Sequence, residues 1–180
     1  MLGKKSREGV WQEFFLDNSF LLRLAFSLPV MLFGDQVSVG GWRFSGAGGK
    51  ISDFAARAAA TGNLSLIEIK TPDTALLEAT PYRGDLYAPA RELTGAVNQV
   101  LDQRYHLQKS IPLLKEASAI RDIEPYSIQG LVIAGRVPKG RAQQKSLVLF
   151  RNGLTAVSII TFDELLGKLE HIAEMLKTTT

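Results

Sequence analysis

The chain has 180 residues, 46% of them hydrophobic, and a net charge of +3. That length can bury one sizeable core, so a single α/β domain is expected rather than two. The absence of cysteine excludes disulfides, thiolate metal sites and cysteine nucleophiles, and leaves Asp and Glu oxygens as the metal-ligating chemistry, suited to magnesium or manganese.

Residues 6–24 read as a helix, with Trp11, Phe14, Phe15, Leu21 and Leu22 recurring at intervals of three and four. Glu8 lies on that apolar stripe, so the helix aims its carboxylate inward, whereas Glu13 falls off it. Asp17, Asn18, Arg23 and Pro29 interrupt the apolar stretch 14–33 before it reaches the roughly 20 residues of a membrane span. The first residues carry no small-residue cleavage site, so no membrane partner and a cytoplasmic location are expected.

Residues 36–44, 50–58 and 63–70 read as three strands of an antiparallel meander, with the glycine-rich 45–49 as a hairpin turn. This turn is not a phosphate-binding loop: Phe44 stands at the first glycine position, and Ile51 where Ser or Thr would reach magnesium. A loop over 71–88 carries Pro72, Pro81 and Tyr82-Arg83-Gly84. Pro89 then suits the first turn of a helix through Leu107, whose buried face is Leu93, Val97, Val100, Leu101 and Leu107. The apolar runs 127–134 and 155–161 read as central strands joined by a short connection. Residues 163–177 form an amphipathic helix capped by Thr161 or Asp163, with Leu165, Leu166, Leu169, Ile172, Met175 and Leu176 assigned to the core. His106 and His171 have no partner at ligand spacing.

The chemistry concentrates on the third strand. Its period of two sends Glu68 and Lys70 to one face and Ile67 and Ile69 to the other. Two charges on so apolar a strand cost about 2 to 5 kcal/mol unless paired, hydrated or metal-bound. With Asp53 on the preceding strand they form a candidate metal site beside an amine, and Glu8 is a fourth candidate. A purely structural ion pair is the alternative. Arg136, Lys139, Arg141 and Lys145 lie in a stretch without acids and could track a DNA backbone or simply line a solvated loop.

The order of elements describes an α/β sandwich around a mixed sheet flanked by helices, and it resembles the restriction-endonuclease-like PD-(D/E)xK core. More specifically, Asp53-Phe54, Ile67-Glu-Ile-Lys-Thr-Pro-Asp73, Tyr82-Arg-Gly84, the segment from Glu92 to Gln99 and the terminal Ile160-Thr-Phe-Asp-Glu-Leu165 resemble the Shedu anti-phage defence family. Ser52 replaces the proline of the family pattern. The resemblance implies a metal-dependent DNA endonuclease using Mg2+, with Mn2+ as a substitute, and Asp53, Glu68 and Lys70 as its catalytic core. It further implies the Ile69 carbonyl as a metal ligand, Gln99 (or Gln103, one turn later) as an orienting amide, and Arg83 as a phosphate contact. Shedu proteins carry further domains and assemble into oligomers, so the resemblance makes residues 1–180 either the catalytic part of a longer chain or a minimal member. The rival readings are a catalytically inactive DNA-binding or assembly module and, more weakly, a metal-dependent phosphatase.

Overall fold

The computed structural model describes residues 7–39, 50–118 and 122–177. The chain runs α1 (Glu8–Asp17), α2 (Ser19–Leu24), β1 (Val30–Val39), β2 (Lys50–Ala58), β3 (Asn63–Ile69), α3 (Arg91–Ser118), β4 (Glu124–Ile133), α4 (Arg141–Asn152), β5 (Val157–Ile160) and α5 (Phe162–Lys177). The five strands form one sheet in sequence order, antiparallel from β1 to β3 and parallel from β3 to β5. The parallel half follows from the helices between its strands, since a strand can return parallel to its predecessor only through a crossover.

Alternation along the central strands divides the core in two. Leu64, Leu66 and Val132 pack with Leu93, Val97, Val100 and Leu107 beneath α3. Ile67, Ile69, Leu131 and Ile133 pack on the other face with Trp11, Phe15, Phe162 and Leu165 of α1 and α5. β3 is therefore buried on both faces, which explains why its hydrophobic run is nearly continuous.

The structure departs from the sequence reading at several points. The first helix breaks at Asn18, whose side-chain amide donates to the Phe14 carbonyl and ends α1. The first strand begins at Val30, not Gln36, because Val30 is buried and pairs opposite Ala58. Residues 40–49, including the expected turn, lie outside the described residues. α3 continues eleven residues beyond Leu107 and through Pro112, since buried Ile111 outweighs the hydrogen bond that the proline cannot donate. The short connection after β4 contains α4, a largely polar helix whose one deeply buried apolar side chain is Leu147. Finally, α5 buries Leu165 but leaves Ile172, Met175 and Leu176 exposed, so its second half does not belong to the core.

The start of α5 is a capping box: Thr161 Oγ1 accepts from the Glu164 N–H at 3.4 Å, and Glu164 Oε2 accepts from the Thr161 N–H at 2.9 Å. Arg151 clamps the same carboxylate through two bonds of 2.7 and 2.8 Å, tying α4 to α5. Burial works against the Glu164 charge, yet Arg151 and the Thr161 N–H outweigh it and hold the carboxyl below its ordinary range.

Where β4 ends, Gly135 adopts φ +60° and its N–H donates to the Thr71 carbonyl at 2.9 Å. A Cβ there would stand 2.6 Å from the Thr74 carbonyl oxygen and 2.7 Å from Leu76. Gly135 thus locks the segment after β3 against the sheet. Gly135→Ala is expected to cost about 2 to 4 kcal/mol of stability, read from urea denaturation, because strain and clash coincide.

Candidate active site

The regular ladder between β2 and β3 ends at the pair Phe54 and Ile67. Beyond it the strands part, and side chains replace the missing backbone bonds. Asp53 Oδ2 accepts from the Ile69 N–H at 2.7 Å. Ser52 Oγ lies 3.1 and 3.2 Å from the Phe54 and Ile67 carbonyls, to which it donates. The serine in place of a strand-shaping proline is therefore a fully buried bridge across the two strands. This divergence makes room at the end of β3 for two acidic side chains on adjacent strands.

Glu68 is only 2% exposed. Its Oε1 pairs with Lys70 Nζ at 2.9 Å, while its Oε2 is buried with no hydrogen-bond partner among the described residues. Lys70 also meets Glu8 of α1 at 3.3 Å. Glu8 is not drawn inward as its stripe position suggests: its side chain is 46% exposed and reaches the ammonium from the rim. The same helix supplies a residue that sequence reasoning missed, because Gln12 Nε2 donates to Asp53 Oδ1 at 2.6 Å. The available signal was its spacing, one turn after Glu8 on the same side of the helix.

Protonation equilibria follow from this burial. Desolvation, followed by the nearby Asp53 charge, pushes Glu68 from 4.5 up to about 7 despite the Lys70 bond. Desolvation also raises Asp53, against the lowering effect of the Ile69 N–H. For Lys70 desolvation works against the charged form, but the Glu68 hydrogen bond and charge, with Glu8, prevail and the pKa rises. The two ends of the ion pair differ because the carboxylate is sealed while the ammonium retains 17% exposure, so the desolvation cost falls chiefly on the acid.

A cavity of about 470 Å3 opens on the Lys70 side of the pair, lined by Glu8, Lys70, Thr71, Thr74, Glu92 and Gln99, with Glu68 and Asp53 outside its lining. Gln99 thus stands at the site although it is an exposed helix residue, whereas Gln103 is buried deeper in α3. In the sequence Glu92 and Thr71 stand out only within motif segments, with no site role, and Thr74 is not singled out. The threonines form a turn in which Thr74 Oγ1 accepts from the Thr71 N–H at 3.1 Å. Among the described residues no three acidic or histidine side chains converge as a ready-made metal cluster. Asp53 and Glu68 nevertheless suit magnesium, which retains several waters and needs only one or two carboxylates. The unpartnered buried Oε2 of Glu68 is an oxygen that a proton or a divalent cation would complete.

The basic residues are dispersed. Arg83 stands at the tip of a hairpin strap, next to the Arg83–Leu86 bridge. Arg136 meets Asp73 at 3.8 Å, and Lys145 pairs with Asp85, so the tertiary fold supplies acids that the linear stretch lacks. Lys139 and Arg141 are exposed at the entry to α4. His106 faces Asp102 on its own helix, and His171 is exposed on α5. No helix among the described residues is long and apolar enough to cross a membrane.

Comparison with known proteins adds two findings. A family model described as Shedu protein SduA, C-terminal, matches residues 5–166. The Shedu protein SduA of Bacillus cereus (strain B4264) is 34% identical over 176 residues, covering 94% of this chain and 46% of that protein. The chain therefore spans less than half the length of the curated relative it matches.

The sealed acid gives the metal-free protein a pH signature. A carboxyl whose pKa rises on folding holds its proton more tightly in the native state, so its contribution to stability is full below about 4.5 and lost as pH rises to about 7. At about 1.4 kcal/mol per unit the loss is on the order of 3 kcal/mol. Glu68→Gln removes this titration, and urea denaturation between pH 4.5 and 8 should show wild-type stability falling relative to the variant across that window. Parallel curves would mean that Glu68 is not desolvated.

Proposed function

Because the chain belongs to the Shedu SduA C-terminal family, we propose that it is a metal-dependent DNA endonuclease of anti-phage defence, built on a PD-(D/E)xK core in one domain. The carrying observation is Glu68: a sealed carboxylate with an unpartnered oxygen, set beside Asp53 and a charged Lys70, where a structural pair alone would leave a buried acceptor unsatisfied. Asp53, Glu68 and the Ile69 carbonyl would hold Mg2+, or Mn2+ in its place, with Glu8 at the rim. When bound, such an ion polarises the phosphoryl group and supplies an activated water.

The chain's own residues do the rest. Lys70 is kept charged by its two carboxylates, so it can stabilise negative charge building on the phosphate. Gln12 and the Ile69 N–H hold both oxygens of Asp53, fixing the carboxylate for its task. Gln99, on the α3 wall of the cavity, orients water or a carboxylate by hydrogen bonding. Arg83, Arg136, Lys139, Arg141 and Lys145 are assigned to the phosphate backbone, their contribution salt-dependent and independent of sequence. The protein would act in the cytoplasm as a homo-oligomer.

The test is incubation with supercoiled and linear DNA in magnesium, manganese or chelator. Cleavage should require the metal and fall at least about 100-fold in Lys70→Ala, assayed at a temperature where circular dichroism shows the variant folded. Absence of cutting on duplex, nicked, single-stranded and RNA substrates with either metal would instead make this a non-catalytic DNA-binding or assembly module. Gln12→Ala should reduce cleavage roughly 10- to 100-fold and be partly restored by raised magnesium, the behaviour of a residue that acts through Asp53.

A further inference from the structure

The segment between β3 and α3 is a braced protrusion rather than a slack loop. Leu76 and Leu77 anchor its base in the core, and Leu77 bridges to Pro89. Glu78 N–H donates to the Ala88 carbonyl at 2.9 Å and Tyr82 N–H to the Leu86 carbonyl at 2.7 Å, while Gly84 turns the tip with φ +57°. Two contacts pin this strap to α4: Tyr87 N–H donates to Ser146 Oγ at 3.0 Å, and Asp85 pairs with Lys145. Such bracing leaves little conformational entropy to lose on binding.

What the strap displays is a tyrosine. Tyr82 is 78% exposed beside the exposed Arg83. Behind it lies an apolar depression of about 230 Å3, walled by Tyr82, Leu86, Tyr87, Leu149 and Phe150, with Leu149 itself 56% exposed. α4, which forms the far wall, carries no acid and three cations, of which Lys145 pairs with Asp85, Arg151 with Glu164, and Arg141 is exposed. Thr71 and Thr74, at the root of the same segment, line the candidate catalytic cavity. A flat apolar surface, the exposed Arg83 at its edge, the exposed Arg141 on α4 and a chain segment shared with the candidate catalytic cavity together match the chemistry of an unstacked nucleobase on a charged backbone.

We propose that Tyr82 and the depression behind it form a base-stacking site, which takes a nucleobase displaced from the DNA strand whose phosphate lies in the catalytic cavity. The proposal deepens the endonuclease reading and rests on it. It makes the domain a reader of locally unstacked DNA, such as frayed ends, gaps or mismatches, with stacking contributing without regard to base identity. Tyr87 and Phe150 form the rear of the pocket and also pack against the core, so Tyr82 is the member that can be changed without disturbing the fold.

The experiment uses the Lys70→Ala chain, expected to bind without cutting, and duplexes carrying 2-aminopurine at successive positions. One or two adjacent positions should brighten on binding. Adding Tyr82→Ala should abolish that signal and weaken binding roughly 5- to 100-fold, whereas Tyr82→Phe should preserve both. In the cleavage-competent chain Tyr82→Ala should retain metal-dependent cutting of DNA that is already single-stranded and lose it preferentially on intact duplex. Brightening unchanged by Tyr82→Ala, or absent at every position while the protein binds and cuts DNA, overturns the stacking site and leaves the endonuclease reading intact. Absence of DNA binding and cutting altogether removes both. Altered self-association in Tyr82→Ala with undiminished DNA affinity assigns the depression to protein docking and also overturns the proposal.

Discussion

The structure turns on a carboxylate taken out of water at the end of its central strand. Glu68 is sealed by its position on β3, whose flanking side chains are buried on both faces. Burying an ion pair is seldom favourable in itself, because desolvation of the acid rivals the attraction to the lysine. The arrangement mitigates that cost unevenly. Lys70 lies one residue beyond β3, retains contact with solvent and stays charged, whereas Glu68 binds a proton near neutrality. A site that holds a proton at neutral pH when empty can exchange it for a cation, and this is the physical basis of the proposed metal centre.

Much of the remaining fold keeps that acid in place. β2 and β3 cease to pair one residue before Glu68, and Asp53 and Ser52 use their side chains to satisfy the backbone groups that the broken ladder exposes. Asp53 thereby has a structural duty that its motif does not disclose. α1 approaches from the opposite sheet face and contributes both Gln12 and Glu8, so the first helix of the domain is part of the site's frame.

The candidate nucleic-acid surface is less concentrated than its sequence implies. Arg136 and Lys145 turn toward Asp73 and Asp85, and the Arg151 guanidinium clamps the cap of α5. Cations engaged in this way hold the strap, α4 and α5 together, and the exposed pairs retain only modest strength because solvent screens them. The strap so fixed is rooted at the cavity through Thr71 and Thr74 and held against α4 near its tip.

The sequence by itself determined the α/β class, the polarity of β3, the placement of Asp53, Glu68 and Lys70 at one end of adjacent strands, and the buried face of α3, because periods of two and 3.6 are local properties. It also carried the family resemblance, which rests on short motifs. It did not disclose α4, whose apolar content is too sparse for periodicity to register, or the extension of α3 through Pro112, which depends on packing of Ile111. Nor did it reveal that Gln12 serves Asp53 across 41 residues of chain, or that acids distant in sequence meet the basic stretch. Only the tertiary structure decided the depth of Glu68, and with it the site's proton affinity, since desolvation depends on how completely two layers of helices exclude water from the end of one strand.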